Sequence, residues 1–190
     1  MQNRYHPTLI GLHWLTLVLL VAVYALIELR GIFPKGTAAH DLMKAGHFML
    51  GLAVLGLVAV RVPLRLVYHA PAITPAPPAW QQRFALAMHV SLYAFLVVMP
   101  LLGWLTLSAK GRVIPFFGLE LPPLLAPDKG LAGRLEDVHE FIGTLGYGLI
   151  GLHAAAALLH HHVLRDDTLR RMLPAHSRRA ERGGALTPGQ

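Results

Sequence analysis

Four long apolar runs, each with at least one histidine inside it, constrain the fold of this chain more than any other feature. Residues 8–27, 84–109 and 141–164 contain no acidic or basic side chain apart from histidine. A helix needs about 20 apolar residues to cross roughly 30 Å of hydrocarbon, and these three runs meet that length. The fourth run, residues 45–60, is shorter, but its helix can continue past Arg61 and Arg65, whose long side chains can snorkel to the lipid head groups. The pattern predicts four transmembrane helices.

The predicted fold class is an all-α integral membrane protein, a four-helix bundle with helices at about residues 8–29, 40–67, 84–109 and 135–164. Residues 1–174 form one membrane domain, and residues 175–190 form a polar cytoplasmic tail. The first run is not expected to be a cleaved signal peptide, because its apolar part exceeds the usual length of about 7–15 residues. In the long connection 110–135, apolar residues predict a segment that lies on the bundle or in the membrane interface rather than a free linker.

Charge predicts the orientation of the bundle. Four helices place both termini on one side, and that side holds ten Lys and Arg residues, against seven on the other side. The positive-inside rule therefore predicts that both termini are cytoplasmic. The net charge of +7 then faces anionic lipid. Nucleic acid is not an expected partner, because the bases lie in short loops and a tail rather than on a folded basic surface.

The chain has no cysteine. This composition excludes disulfides, iron–sulfur clusters held by thiolates and covalently attached c-type haem. A cofactor must be held by histidine or by non-covalent packing.

Four of the histidines fall at two matched depths. His139 lies at the outer edge of the fourth helix, and His153 lies about 21 Å further along it and within about 40° of the same direction. His47 is near the outer start of the second helix, and His13 is near the inner end of the first. We therefore expect His47 to meet His139 on the outer side and His13 to meet His153 on the inner side.

Two histidine pairs, each drawn from two helices, match bis-histidine ligation of two b-type haems. The alternative is four unrelated histidines, each bonded to a neighbouring carbonyl; the matched depths disfavour it. Glycines in the second and fourth helices are consistent with the close approach of a flat macrocycle to the backbone. Helix–helix packing explains these glycines equally well. They are Gly143, Gly146, Gly148 and Gly151 in the fourth helix and Gly46, Gly51 and Gly56 in the second.

Other histidines are assigned by position. His89, near the inner end of the third helix, is a candidate for a cofactor edge or a quinone pocket, or a hydrogen-bonded histidine of the bundle. In the triplet 160–162, successive side chains point about 100° apart, so at most one faces the bundle. His160 is the candidate, because it lies two turns beyond His153 and could exchange a proton with quinone. The other two are expected to point to the head groups. Four more are expected to be solvated, namely His6, His40, His69 and His176.

Two segments resemble the bacterial cytochrome b561 family: "IGLHWLTLVLLVAVYALIELRGIFP" near the start and "HEFIGTLGYGLIGLHAAAALLHHHVLRDDTLRRMLP" near the end. The resemblance extends to about residue 174 and is weakest in residues 110–135. It implies two b haems with axial ligands at His13, His47, His139 and His153. A similar di-haem member of the family has lysines in the inner loop between the second and third helices, where this chain has "APAITPAPP". The resemblance therefore does not imply a quinone contact from a lysine in this loop.

Within the family, the chain is similar to small di-haem members with superoxide:ubiquinone oxidoreductase activity. The resemblance implies an enzyme that oxidises superoxide to dioxygen on the periplasmic side and passes electrons to ubiquinone, with His160 at the quinone end. The alternative is a haem b membrane subunit that relays electrons between a partner dehydrogenase and the quinone pool. A third reading, a histidine-rich metal transporter, predicts a protein without haem.

Overall fold

In the computed structural model, which describes residues 4–174, the four apolar runs form four long helices. These are α1 (Pro7–Leu29), α2 (Ala38–Val67), α3 (Ala79–Ala109) and α4 (Lys129–Leu159). All four are long and apolar enough to cross a membrane. The tail predicted over residues 175–190 lies outside the described residues.

The observed helices extend beyond the apolar runs at their N-terminal ends. α3 begins five residues and α4 six residues before the expected positions, because polar N-terminal turns continue each helix past its apolar run. Asp128 caps α4, where its side chain accepts a hydrogen bond from the Leu131 N–H at 3.0 Å. Thr37 caps α2 in the same way through the His40 N–H at 3.4 Å. Capping residues rather than the limits of hydrophobicity thus set the starts of α2 and α4.

The helices pack in sequence, with α1 on α2, α2 on α3 and α3 on α4. Val54 and Val58 of α2 form a buried cluster with Phe95 and Leu96 of α3. Many large apolar side chains remain exposed on the outer surface of the bundle, as a lipid environment requires; they include Val18, Val21, Leu66, Phe84 and Phe141.

The outer end of the bundle is the end that carries the α1–α2 and α3–α4 connections. The long α3–α4 connection forms an antiparallel hairpin of β1 (Ile114–Phe116) and β2 (Leu119–Leu121). Ile114 is 1% exposed and packs with Leu52 and Leu107. The prediction that this segment lies on the bundle is confirmed.

The inner end carries the chain termini and the α2–α3 connection. Asp167, after α4, accepts a hydrogen bond from the Thr74 N–H at 2.9 Å, and the Arg171 guanidinium donates to the Pro71 carbonyl. The Trp14 indole N–H donates to the Met172 carbonyl at 2.7 Å. The segment after α4 therefore ties the proline-rich loop to the bundle.

A substitution at Gly146 of α4 tests the close contact of this helix with α1 and α3. A Cβ atom at this position would collide with the Tyr24 hydroxyl and the Phe95 ring. Gly146→Ala should therefore lower stability by about 1–3 kcal/mol, as overpacking of a fitted interface does. Thermal unfolding in detergent micelles measures the change. Gly148→Ala, two residues along the same helix and facing open space, is the matched control. Equal stability of the two variants would contradict this contact.

Candidate functional site

The outer histidine pair joins α2 and α4. The ring centroids of His47 and His139 are 6.2 Å apart, with the ring planes at 80°. His47 Nδ1 lies 2.9 Å from the Val23 carbonyl oxygen. On α3, a Cβ at Gly103 would lie 3.4 Å from Cε1 of His139. Residue 103 of α3 therefore lies directly against the His139 ring.

The inner pair joins α1 and α4 with almost the same separation. The ring centroids of His13 and His153 are 6.3 Å apart, with the planes at 72°. His89 of α3 also lies near His153, with centroids 5.6 Å apart. The structure thus brings together the four histidines selected from the sequence as the two expected pairs, with a third imidazole at the inner one.

Both separations suit two imidazoles bound to opposite sides of one metal ion. A metal–imidazole nitrogen bond of about 2.0–2.1 Å, plus about 1.1 Å from that nitrogen to the ring centroid, gives about 6.2–6.4 Å between centroids. His89 and His153 are closer than this.

The hydrogen bond of His47 also suits a metal ligand. Because a carbonyl oxygen only accepts, Nδ1 carries the proton and Nε2 is left unprotonated for a metal. The donor chemistry of His47 and the separations of both pairs therefore fit haem iron with imidazole ligands.

The glycines divide into two groups. Gly46, Gly143 and Gly146 face Leu26, Met99 and the Tyr24–Phe95 contact respectively, so helix packing explains them. The remaining four have open space where a Cβ would be; they are Gly51, Gly56, Gly148 and Gly151.

At the inner end of α4, His160 begins a π-helical turn, His160–Leu164, and its Nδ1 donates to Asp166 Oδ2 at 2.5 Å. Arg165 then adopts a left-handed conformation, φ 55°, which turns the chain so that Asp166 returns to His160. Burial alone would raise the pKa of Asp166, but hydrogen bonds from His160 and Thr168 outweigh it and hold the pKa below its ordinary value. The pair is therefore an imidazole held by an ionised carboxylate.

Two of the expectations for charged and histidine side chains were wrong. His40 is buried rather than solvated and lies 3.2 Å from the Arg30 carbonyl oxygen. Arg61 does not snorkel; one of its guanidinium nitrogens lies 3.1 Å from His13 Nδ1. His176 lies outside the described residues.

Three residues of the site were not identified from the sequence. Arg61 is visible in the sequence as a charge next to an apolar run, but this position alone predicts a side chain that reaches the lipid head groups. Asp166 depends on the chain reversal after the π-helical turn, and Gly103 depends on which face of α3 meets His139. Neither of these two leaves a pattern in the sequence.

The four spanning helices and the histidine pairs between them define a membrane cytochrome of the b type. The model of the prokaryotic cytochrome b561 family matches residues 4–175, and the chain belongs to this family. It is thus a bacterial membrane haem protein.

Three curated relatives cover almost the whole chain. "Cytochrome b561 homolog 1" of Escherichia coli is 40% identical over 91% of this chain and 98% of its own length. "Probable superoxide oxidase CybB" of Yersinia pestis is 37% identical over 92% and 98%. "Cytochrome b561 homolog 2" of Escherichia coli is 28% identical over 90% and 92%.

Proposed function

We propose that this protein is a di-haem superoxide:ubiquinone oxidoreductase of the bacterial inner membrane, with both termini cytoplasmic. The main supporting observation is that two imidazole pairs of nearly equal separation, 6.2 and 6.3 Å, lie toward opposite ends of one bundle. The Yersinia pestis relative, a probable superoxide oxidase that is 37% identical to this chain, supports superoxide as the substrate.

In this proposal, His47 and His139 bind the outer haem b, and His13 and His153 bind the inner one. When bound, the haems supply one-electron redox chemistry between the two sides of the membrane. α4 is continuous over both of its ligands, so it sets them about 21 Å apart along its axis. The chain's own contribution is to fix the ligands at two depths and to exclude water between them.

The electrons balance between superoxide and ubiquinone, and two protons complete the reaction. Two superoxide anions each lose one electron and become dioxygen, while ubiquinone gains the two electrons and takes two protons to form ubiquinol. In this proposal, the oxidation of superoxide takes place at the outer end of the bundle. Lys110 is engaged there by Glu136 at 2.6 Å, so it contributes little free positive charge to attract the anion.

The inner end has a proton-handling pair suited to quinone reduction. Asp166 fixes the His160 ring through Nδ1 and provides a counter-charge when the ring is protonated. Nε2 is then the nitrogen free to exchange a proton with a quinone oxygen. His89, next to His153, is the second quinone-site candidate.

Single ligand replacements test the assignment of the two pairs. His47→Ala should remove the outer haem and retain the inner one, and His13→Ala should do the reverse, because each haem has its own two ligands. Haem per chain and the reduced-minus-oxidised spectrum measure the outcome, with the surface variant His69→Ala as control. Loss of both haems to the same extent in each variant would contradict separate pairs.

Stopped-flow spectroscopy tests the substrates. Superoxide should reduce the haems of the wild-type protein faster than it dismutates spontaneously, and added ubiquinone should reoxidise them. Haem reduction no faster than dismutation would reject superoxide as the donor. It would favour the alternative function, electron relay between a partner dehydrogenase and the quinone pool.

The same stopped-flow experiment distinguishes the reaction at the inner end of the bundle from the reaction at the outer end. Asp166→Asn should slow quinone-dependent reoxidation by about ten-fold, since it loosens the His160 ring, and should leave reduction by superoxide unchanged. Asp167→Asn is the matched control, because that carboxylate holds Thr74 and Arg171 instead of His160. Equal slowing by both variants would indicate that the segment only supports the fold.

A further inference from the structure

Arg61 is a cation within a spanning helix, and the structure places it beside the inner histidine pair. One terminal nitrogen lies 3.1 Å from His13 Nδ1, and Cζ lies 5.7 Å from the centre of the Tyr93 ring. The side chain is partly buried. Because a guanidinium stays protonated in proteins, a full positive charge is present at this depth.

No carboxylate balances this charge within residues 4–174. The ion pairs there are Lys110–Glu136, His160–Asp166 and Arg171–Asp167, and none includes Arg61. The neighbouring groups are themselves neutral or cationic, namely His13, Tyr93, Tyr5 and Arg65. An unpaired charge inside a membrane span is costly and is usually satisfied by a counter-charge or a ligand.

The present partner of Arg61 is incompatible with ligation of His13 through Nε2. Nδ1 of His13 serves as the acceptor for Arg61, so it carries no proton in this contact. A neutral imidazole that binds a metal through Nε2 has its proton on Nδ1. Two donors would then face each other, and the guanidinium must turn to another acceptor.

We propose that Arg61 binds a propionate carboxylate of the inner haem. A b haem carries two such carboxylates, and a guanidinium pairs with a carboxylate through two parallel hydrogen bonds. This inference rests on the proposed haem site at His13 and His153. The propionate would supply the negative charge that no described residue provides to Arg61. Because Arg61 lies on α2, the propionates of that haem would lie on the side of this helix.

Arg65, one turn further along α2, provides a matched control. Its Cζ lies 5.5 Å from the centre of the Tyr5 ring, and one terminal nitrogen is 3.5 Å from the Tyr68 carbonyl oxygen. It has the same charge on the same helix but makes no hydrogen bond to either inner histidine.

The experiment compares Arg61→Gln, Arg61→Lys and Arg65→Gln in the full-length, haem-loaded protein. In Arg61→Gln, the midpoint potential of the inner haem should fall, because a positive charge that stabilises the reduced haem is removed. The potential of the outer haem should not change. Loss of the inner haem to excess haem-free myoglobin should become about ten-fold faster, as expected when a charged hydrogen bond is removed. Arg61→Lys should restore most of the potential. Arg65→Gln should lower the potential much less than Arg61→Gln does and should leave the rate of haem loss unchanged.

Resonance Raman spectroscopy of the propionate bending band gives a readout that does not depend on activity. The band of the inner haem should shift in Arg61→Gln and in Arg61→Lys, and not in Arg65→Gln. Selective absence of the inner haem from Arg61→Gln, with retention in Arg61→Lys, also supports the proposal. If Arg61→Gln does not accumulate, the Raman band of Arg61→Lys decides.

An unshifted propionate band in Arg61→Lys, or an unchanged inner potential in Arg61→Gln, would overturn the proposal. These outcomes can be distinguished from a failure of the proposed function. A protein that does not react with superoxide still yields both potentials and the Raman bands. Retention of both haems in His13→Ala would instead refute the haem site on which this inference rests.

Discussion

Two imidazole rings whose centroids lie 6.2 to 6.3 Å apart are the arrangement on which the proposed function depends, and it occurs twice. The separation must leave room for a metal ion between the rings and still allow both rings to bind it. Within a membrane, unpaired polar rings are unfavourable, so each pair requires a ligand or hydrogen-bond partners. His47 shows how the chain meets this requirement, because the Val23 carbonyl fixes its proton on Nδ1.

Between the two pairs, α4 contacts α1 and α3 directly. The Tyr24 hydroxyl donates to the Gly143 carbonyl at 2.7 Å, and Gly146 contacts Tyr24 and Phe95 where no larger residue fits. α1 and α4 are thus joined at a level between the two histidine pairs. In the proposed function, this contact separates the two levels at which the haems would bind.

Much of this arrangement follows from sequence. The apolar runs predict the four helices, and the interval between His139 and His153 places both on one face of a single helix. Features that depend on tertiary structure do not follow. Arg61 was assigned to the head groups because its partner, His13, is 48 residues away on another helix. Asp166 reaches His160 only because a π-helical turn and a left-handed residue reverse the chain.

The central claim is that each imidazole pair binds one haem. The most direct test is the amount of haem b per chain in the purified wild-type protein, determined together with the electron paramagnetic resonance spectrum of the oxidised form. The account predicts two haems per chain, both low-spin and six-coordinate, as two axial imidazoles require. A single haem per chain, or a high-spin five-coordinate haem in half of the sites, would contradict it.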